Sequence, residues 1–201
     1  MSTEIEFFWD PGSTNTYFAW KLLPAIAERH GAVIVPRAFN LGYVFRHHKY
    51  VLMEEPVAKI ENRKRDLMRW AEKYDLPFRF PDVFPIKTST ALRGALALRP
   101  MGLEHAFISA VLDAYWERGD DTISTDDGLV PLAESLGLAR TEFLQALNSD
   151  AVRQLLIDET RDALDSGVFG APSMRVGPEL FWGKDRMDFL EDELIRQNPR
   201  D

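Results

Sequence analysis

The chain has 201 residues, 45% of them hydrophobic, and a net charge of −8, which suits a globular protein with a sizeable core and gives no basic surface for a nucleic-acid partner. It contains no cysteine, so disulfides, thiolate metal sites and a cysteine nucleophile are excluded. No apolar run approaches the roughly 18 residues that cross a bilayer, and no basic-then-apolar leader opens the chain, so no membrane partner and a cytoplasmic location are expected.

Glu4 to Asp10 begins with alternating apolar and polar residues and ends in the apolar run Phe7-Phe8-Trp9, the pattern of a buried strand, before Pro11 and Gly12 break it. From Ser13 the period changes to that of a helix, with Phe18, Leu22, Ala25 and Ile26 three or four residues apart. Ser13, Thr14, Asn15 and Thr16 stand at its start, where unpaired N–H groups need acceptors. Such residues are ordinary caps, and the same place carries a partial positive charge that favours an anion beside Ser13. Pro24 is expected to kink or close this helix, and Gly31 to Phe39 reads as a second strand. Strand, helix, strand in this order makes a right-handed parallel crossover, with binding groups at the carboxyl ends of the strands.

Between Pro56 and Ser166 the strand signal vanishes. Helical patterns cover 57–74, 88–99, 102–118, 128–136, 140–147 and 150–166. The densest basic cluster, Asn62-Arg63-Lys64-Arg65, falls in the first of these beside Leu67, Met68 and Trp70, and reads as a solvated helix face. Strands return at Ser173-Met174-Arg175-Val176 and Glu179-Leu180-Phe181-Trp182, joined by the turn Gly177-Pro178, and a helix follows from Asp185 to about Arg196. Disorder is expected only over Asn198 to Asp201. His47 and His48, in a stretch read as extended, have side chains directed apart and no third ligand at metal spacing.

This order is an α/β, thioredoxin-like one: residues 1–55 and 167–201 form a discontinuous thioredoxin-like unit, and residues 56–166 form a large all-helical insertion domain. The motif Asp10-Pro11-Gly12-Ser13-Thr14-Asn15-Thr16-Tyr17-Phe18-Ala19 and the tail Gly167-Val168-Phe169-Gly170-Ala171-Pro172, with Phe181-Trp182-Gly183-Lys184-Asp185-Arg186, resemble the 2-hydroxychromene-2-carboxylate isomerases. These are relatives of kappa-class glutathione transferases within the DsbA-like thioredoxin superfamily. The resemblance implies glutathione as cofactor, a small aromatic acid as substrate and a homodimer.

It further implies that Ser13 lies against the glutathione sulfur, and that Pro172 is a cis-proline leaving the N–H and C=O of Ala171 to pair with the ligand. Asp185 would pair with the γ-glutamyl amino group, its place also suiting a helix cap, and Arg186 beside it reads as bracing Asp185 or an adjacent helix. Lys184, where relatives often have serine, and Lys59, in Val57-Ala58-Lys59, become candidates for the cofactor-binding set. The sequence departs from the family pattern at Thr14, at Tyr50 with its neighbours Arg46 to Lys49, and at Lys87. Two other readings accompany the isomerase: a kappa-like transferase that releases the adduct, and a DsbA-like binding module in which Ser13 is only a cap.

Overall fold

In the computed structural model, which describes residues 2–51 and 55–198, β1 (Glu4–Trp9) is one of the two inner strands of a four-stranded sheet. It pairs in parallel with β2 (Val33–Ala38), Phe7 opposite Pro36, and antiparallel with β3 (Ser173–Val176), Phe7 opposite Met174. β4 (Glu179–Trp182) closes the hairpin with β3, giving the order β2-β1-β3-β4. This is the thioredoxin-like α/β sheet expected from the sequence. Ile5, Phe7 and Trp9 lie within the main core, whereas Phe8 points to the opposite face beside Phe39 and Val44. Successive strand residues face opposite sides, so at its carboxyl end β1 is buried on both faces, while Glu4 and Glu6 share the Phe8 face nearer its start.

The helices are α1 (Thr14–His30), α2 (Leu41–His47), α3 (Val57–Lys73), α4 (Ser89–Leu98), α5 (Glu104–Trp116), α6 (Asp126–Ser135), α7 (Arg140–Leu147), α8 (Asp150–Asp165) and α9 (Met187–Gln197). Two expectations are corrected. Pro24 does not close α1, which runs through it to Gly31, a left-handed cap. Pro24 faces solvent, so water can satisfy the carbonyl that loses its partner, while Leu23, Ile26 and Ala27 hold the turn by burial. The stretch before His48 is not extended: α2 occupies it, capped by the Asn40 side chain, which accepts the Tyr43 N–H at 3.2 Å. His47 ends that helix and its ring meets His48 edge-on, 4.9 Å between centroids, so the two side chains do not point apart. Of the residues 198–201 expected to be disordered, Asn198 is described and its side chain donates to Thr3 Oγ1 at 2.6 Å, while 199–201 lie outside the described residues.

The helices from α3 to α8 share one apolar cluster with the sheet and α1: Phe18, Phe78, Leu92, Phe107 and Trp116 belong to it together with Ile5 and Trp9. Polar contacts add to this seam. Trp20 Nε1 donates to Ser109 Oγ at 2.8 Å, Tyr17 Oη donates to Glu117 at 2.9 Å, and Lys21 pairs with Asp113 and Glu117. The outer edge of β2 is covered by α8: Glu159 accepts the Ala38 N–H at 2.8 Å, and Thr160 Oγ1 accepts the Asn40 N–H at 3.2 Å. Arg99, in a short 3-10 turn, donates to the Pro36 carbonyl at 3.2 Å and is held by both Glu104 and Glu159. No helix among the described residues is long and apolar enough to cross a membrane.

Candidate active site

β1 ends at the turn Asp10-Pro11-Gly12, and the turn delivers Ser13 to the head of α1. Ser13 has extended backbone angles (φ −96°, ψ 119°), its N–H bonds to the Asp10 carbonyl at 3.1 Å, and its Oγ accepts the Thr16 N–H at 3.4 Å. It is therefore an N-cap. The first turn of α1 has no acidic residue, so the positive end of the helix is not neutralised from within. The Ser13 hydroxyl donates to the Ala171 carbonyl at 2.9 Å, and the Ala171–Pro172 peptide is cis. Helix head and proline loop thus meet, although the Ala171 carbonyl already has a protein partner and is not left free as expected. Among the described residues the Ala171 N–H makes no hydrogen bond.

The turn is braced from several sides. Trp116 Nε1, at the end of α5, donates to the Pro11 carbonyl at 2.8 Å. Asp10 is fully buried, and burial pushes its carboxyl up to about 6 against the hydrogen bonds from Gly12, Leu41 and Thr88. Sequence reasoning passed over Asp10, Thr88 and Trp116. A lone acid before Pro-Gly reads as a turn residue, and only the fold brings Leu41 and Thr88 to it. Lys87, beside Thr88, is exposed.

Past the proline loop, the Gly183 N–H donates to the Pro172 carbonyl at 2.9 Å, which brings the segment 183–186 to the same end of the sheet. Lys184 is 8% exposed, with Nζ 4.0 Å from the centroid of the Trp70 ring on α3. Burial lowers its pKa, against the pull of Asp185 and Asp66. Asp185 is exposed, and Arg186 Nη1 donates to its carboxylate at 2.7 Å, as a bracing role requires. Asp185 is not a helix cap: a 3-10 turn covers Lys184–Arg186, and α9 starts at Met187 without a side-chain cap. Lys59 is not brought into this cluster; its exposed ammonium pairs with Glu55 at 2.7 Å. Phe169 and Trp182, both exposed with ring centroids 5.3 Å apart, flank the proline loop. Among the described residues no three histidine or carboxylate groups gather as a metal site.

Residues 4–195 match the DSBA-like thioredoxin domain family. The 2-hydroxychromene-2-carboxylate isomerase of Sphingobium xenophagum is 33% identical over 197 residues, covering 97% of this chain and 100% of that protein. Glutathione s-transferase kappa 2 of Caenorhabditis elegans is 23% identical, covering 94% and 91%. A solved 2-hydroxychromene-2-carboxylate isomerase superposes with a TM-score of 0.83 at 28% identity, covering 96% of this chain and 95% of that one. With a serine-capped helix facing a cis-proline and a relative this similar over nearly its whole length, the chain belongs to the 2-hydroxychromene-2-carboxylate isomerases of the DsbA-like thioredoxin family and is an isomerase.

Proposed function

We propose that this isomerase is glutathione-dependent and converts a 2-hydroxychromene-2-carboxylate-like aromatic acid to its open-chain hydroxybenzylidenepyruvate form. The observation that carries this reading is the Ser13 hydroxyl at the head of α1, 2.9 Å from the carbonyl before cis-Pro172, in a chain without cysteine. When bound, glutathione supplies a thiolate that adds to the conjugated carbon, permits rotation about the former double bond and leaves again.

The residues at this place fit that cofactor. A free thiol of pKa about 8.5 is only a few per cent ionised near neutral pH, so a donor and a helix N-terminus that favour the anion raise the reactive fraction. Ser13 is the donor, turning its proton from the Ala171 carbonyl toward the sulfur. The Ala171 N–H offers a main-chain contact to a peptide-like ligand. Asp185, whose hydrogen-bond partner among the described residues is Arg186, keeps acceptor capacity for an ammonium, and Lys184, which faces the Trp70 ring, is suited to a ligand carboxylate. Lys59, engaged by Glu55, receives no part in the site.

Calorimetric titration with reduced glutathione tests the reading. Binding at millimolar concentration or tighter, followed by glutathione-dependent turnover of the chromene acid, supports it; no heat and no stabilisation at millimolar glutathione would overturn it. We further propose a cytoplasmic homodimer. The cytoplasmic assignment is supported by the need for a pool of reduced thiol, and sedimentation equilibrium decides the stoichiometry.

A further inference from the structure

Asp10 takes no part in ligand binding as proposed above, yet it is buried between the end of β1 and the starts of α2 and α4. Its Oδ1 accepts the Gly12 N–H at 2.7 Å; its Oδ2 accepts the Leu41 N–H at 2.8 Å and the Thr88 hydroxyl at 3.0 Å. All three partners are donors, and two are main-chain groups that cannot reverse their role. The arrangement is built for a carboxylate.

Among the described residues its partners are neutral donors and no charged side chain is one of them. Lys87 before α4, and Arg46 and His47 at the far end of α2, are exposed and are not among its partners; Lys21 on α1 pairs with Asp113 and Glu117. Packing here is tight as well. A Cβ on Gly12 would stand 3.0 Å from Thr88 Cγ2 and 3.1 Å from Asp10 Oδ1, so a side chain there would press the turn and the start of α4 apart by a few tenths of an ångström. A buried carboxylate met by neutral donors alone holds them against a desolvation penalty that a neutral side chain would not incur. Retaining one here points to a task that needs the charge.

We infer that Asp10 is a positioning residue: as a carboxylate it ties the Gly12–Ser13 turn to the first residues of α2 and α4, and so fixes the Ser13 hydroxyl relative to the helical wall of the cleft. This rests on the reading of Ser13 as the group facing the thiolate. On protonation the Thr88 hydroxyl can reverse and accept, whereas the Gly12 and Leu41 N–H groups cannot, so the three-way link changes where it meets α4. The carboxyl pushed up to about 6 puts that change just below neutral pH.

A ¹⁵N-resolved titration of the full chain, from about pH 5 to about pH 8, reads the link directly. The expected result is that the Gly12, Ser13 and Leu41 amide signals move together with one midpoint near 6. Thr88→Val, which removes one donor to the carboxylate, moves that midpoint upward, and Asp10→Asn abolishes it. In parallel, kcat for the chromene acid at saturating glutathione falls on the acid side with the same midpoint. Asp10→Asn lowers kcat at every pH by at least tenfold, with Tm at about pH 8 not reduced. Separate midpoints, no titration, or wild-type kcat in Asp10→Asn would each overturn the proposal. Should the wild-type chain neither bind glutathione nor turn over the acid, the functional reading fails by itself. The shared amide midpoint and its shift in Thr88→Val then decide the Asp10 link alone, supporting it if present and overturning it if absent.

Discussion

Ser13 Oγ lies 2.9 Å from the carbonyl oxygen of Ala171, so one proton joins residues 158 positions apart in the chain. The hydroxyl has no second proton. Turning it toward an anion leaves the Ala171 carbonyl in need of a new donor, which a main-chain N–H of a peptide-like ligand can supply. If the proposed glutathione binds here, its binding and the charging of its sulfur would be linked at a single side chain.

Replacing Ser13 by alanine removes that proton. Since hydrogen bonds to charged groups contribute about 1.5–3 kcal/mol, kcat should fall roughly 10- to 150-fold. Glutathione affinity should change less, because Asp185 and the helix end are untouched. The loss of the cap should also lower stability by about 1 kcal/mol. Steady-state kinetics, with thiolate absorbance of the bound cofactor, separates these effects; unchanged kcat would remove Ser13 from the chemistry.

Asp10 makes stability depend on pH in an unusual direction for an acid. Its folded-state carboxyl is raised to about 6 from the ordinary 3.8. Its favourable contribution is therefore fully present below the unfolded value and is lost as pH rises through the folded one. The difference corresponds to about 3 kcal/mol, an upper figure for a single site. Urea unfolding from pH 4 to pH 8 should show this component vanishing in Asp10→Asn.

Glu159 accepts from Ala38 and grips Arg99 while only slightly exposed. Glu159→Ala leaves a strand N–H without an acceptor and takes one of two carboxylates from Arg99, so a loss of about 3 kcal/mol is expected in urea unfolding.

Gly94 on α4 sets two effects against each other. Alanine gains about 1 kcal/mol in helix propensity, but its Cβ would stand 2.7 Å from Phe107 Cε1 inside the core. Overpacking of this kind costs about 1–3 kcal/mol, so Gly94→Ala should be destabilising by about 1 kcal/mol net, read as a lower Tm.

Lys184→Met keeps the stem over Trp70 and removes a cation whose pKa is depressed by burial. Stability near neutral pH should hold or rise, since the charged form is the one that burial disfavours. Glutathione affinity should fall about tenfold if the ammonium meets a ligand carboxylate. A variant that binds glutathione as tightly as the wild type would leave Lys184 a structural residue.

The strand-to-helix change at Ser13 was legible because period and capping residues change together there, and the hairpin 173–182 because turn residues separate two apolar runs. α2 was not legible. Seven residues carrying only Leu41, Val44 and Phe45 as an apolar pattern are too few to show a helical period, and the cap at Asn40 looks like any loop asparagine. Pro24 misled because proline's effect depends on which way the helix faces, and only tertiary packing turns it to solvent. The meeting of the Ser13 cap with a cis Ala171–Pro172 peptide was readable from the motif. Asp10 was not, since its meaning lies in Leu41 and Thr88, which are remote in sequence.

The cover of α8 over β2 bears on how this chain would fail. Val33-Ile34-Val35 is a short β-branched run on an edge strand, a ready template for pairing between molecules. Beyond it the edge groups at Pro36, Ala38 and Asn40 are occupied by Arg99, Glu159 and Thr160, all from the helical block. Cutting out the helices to leave the strand-bearing halves alone would bare that edge, and the product would aggregate instead of yielding a smaller soluble protein.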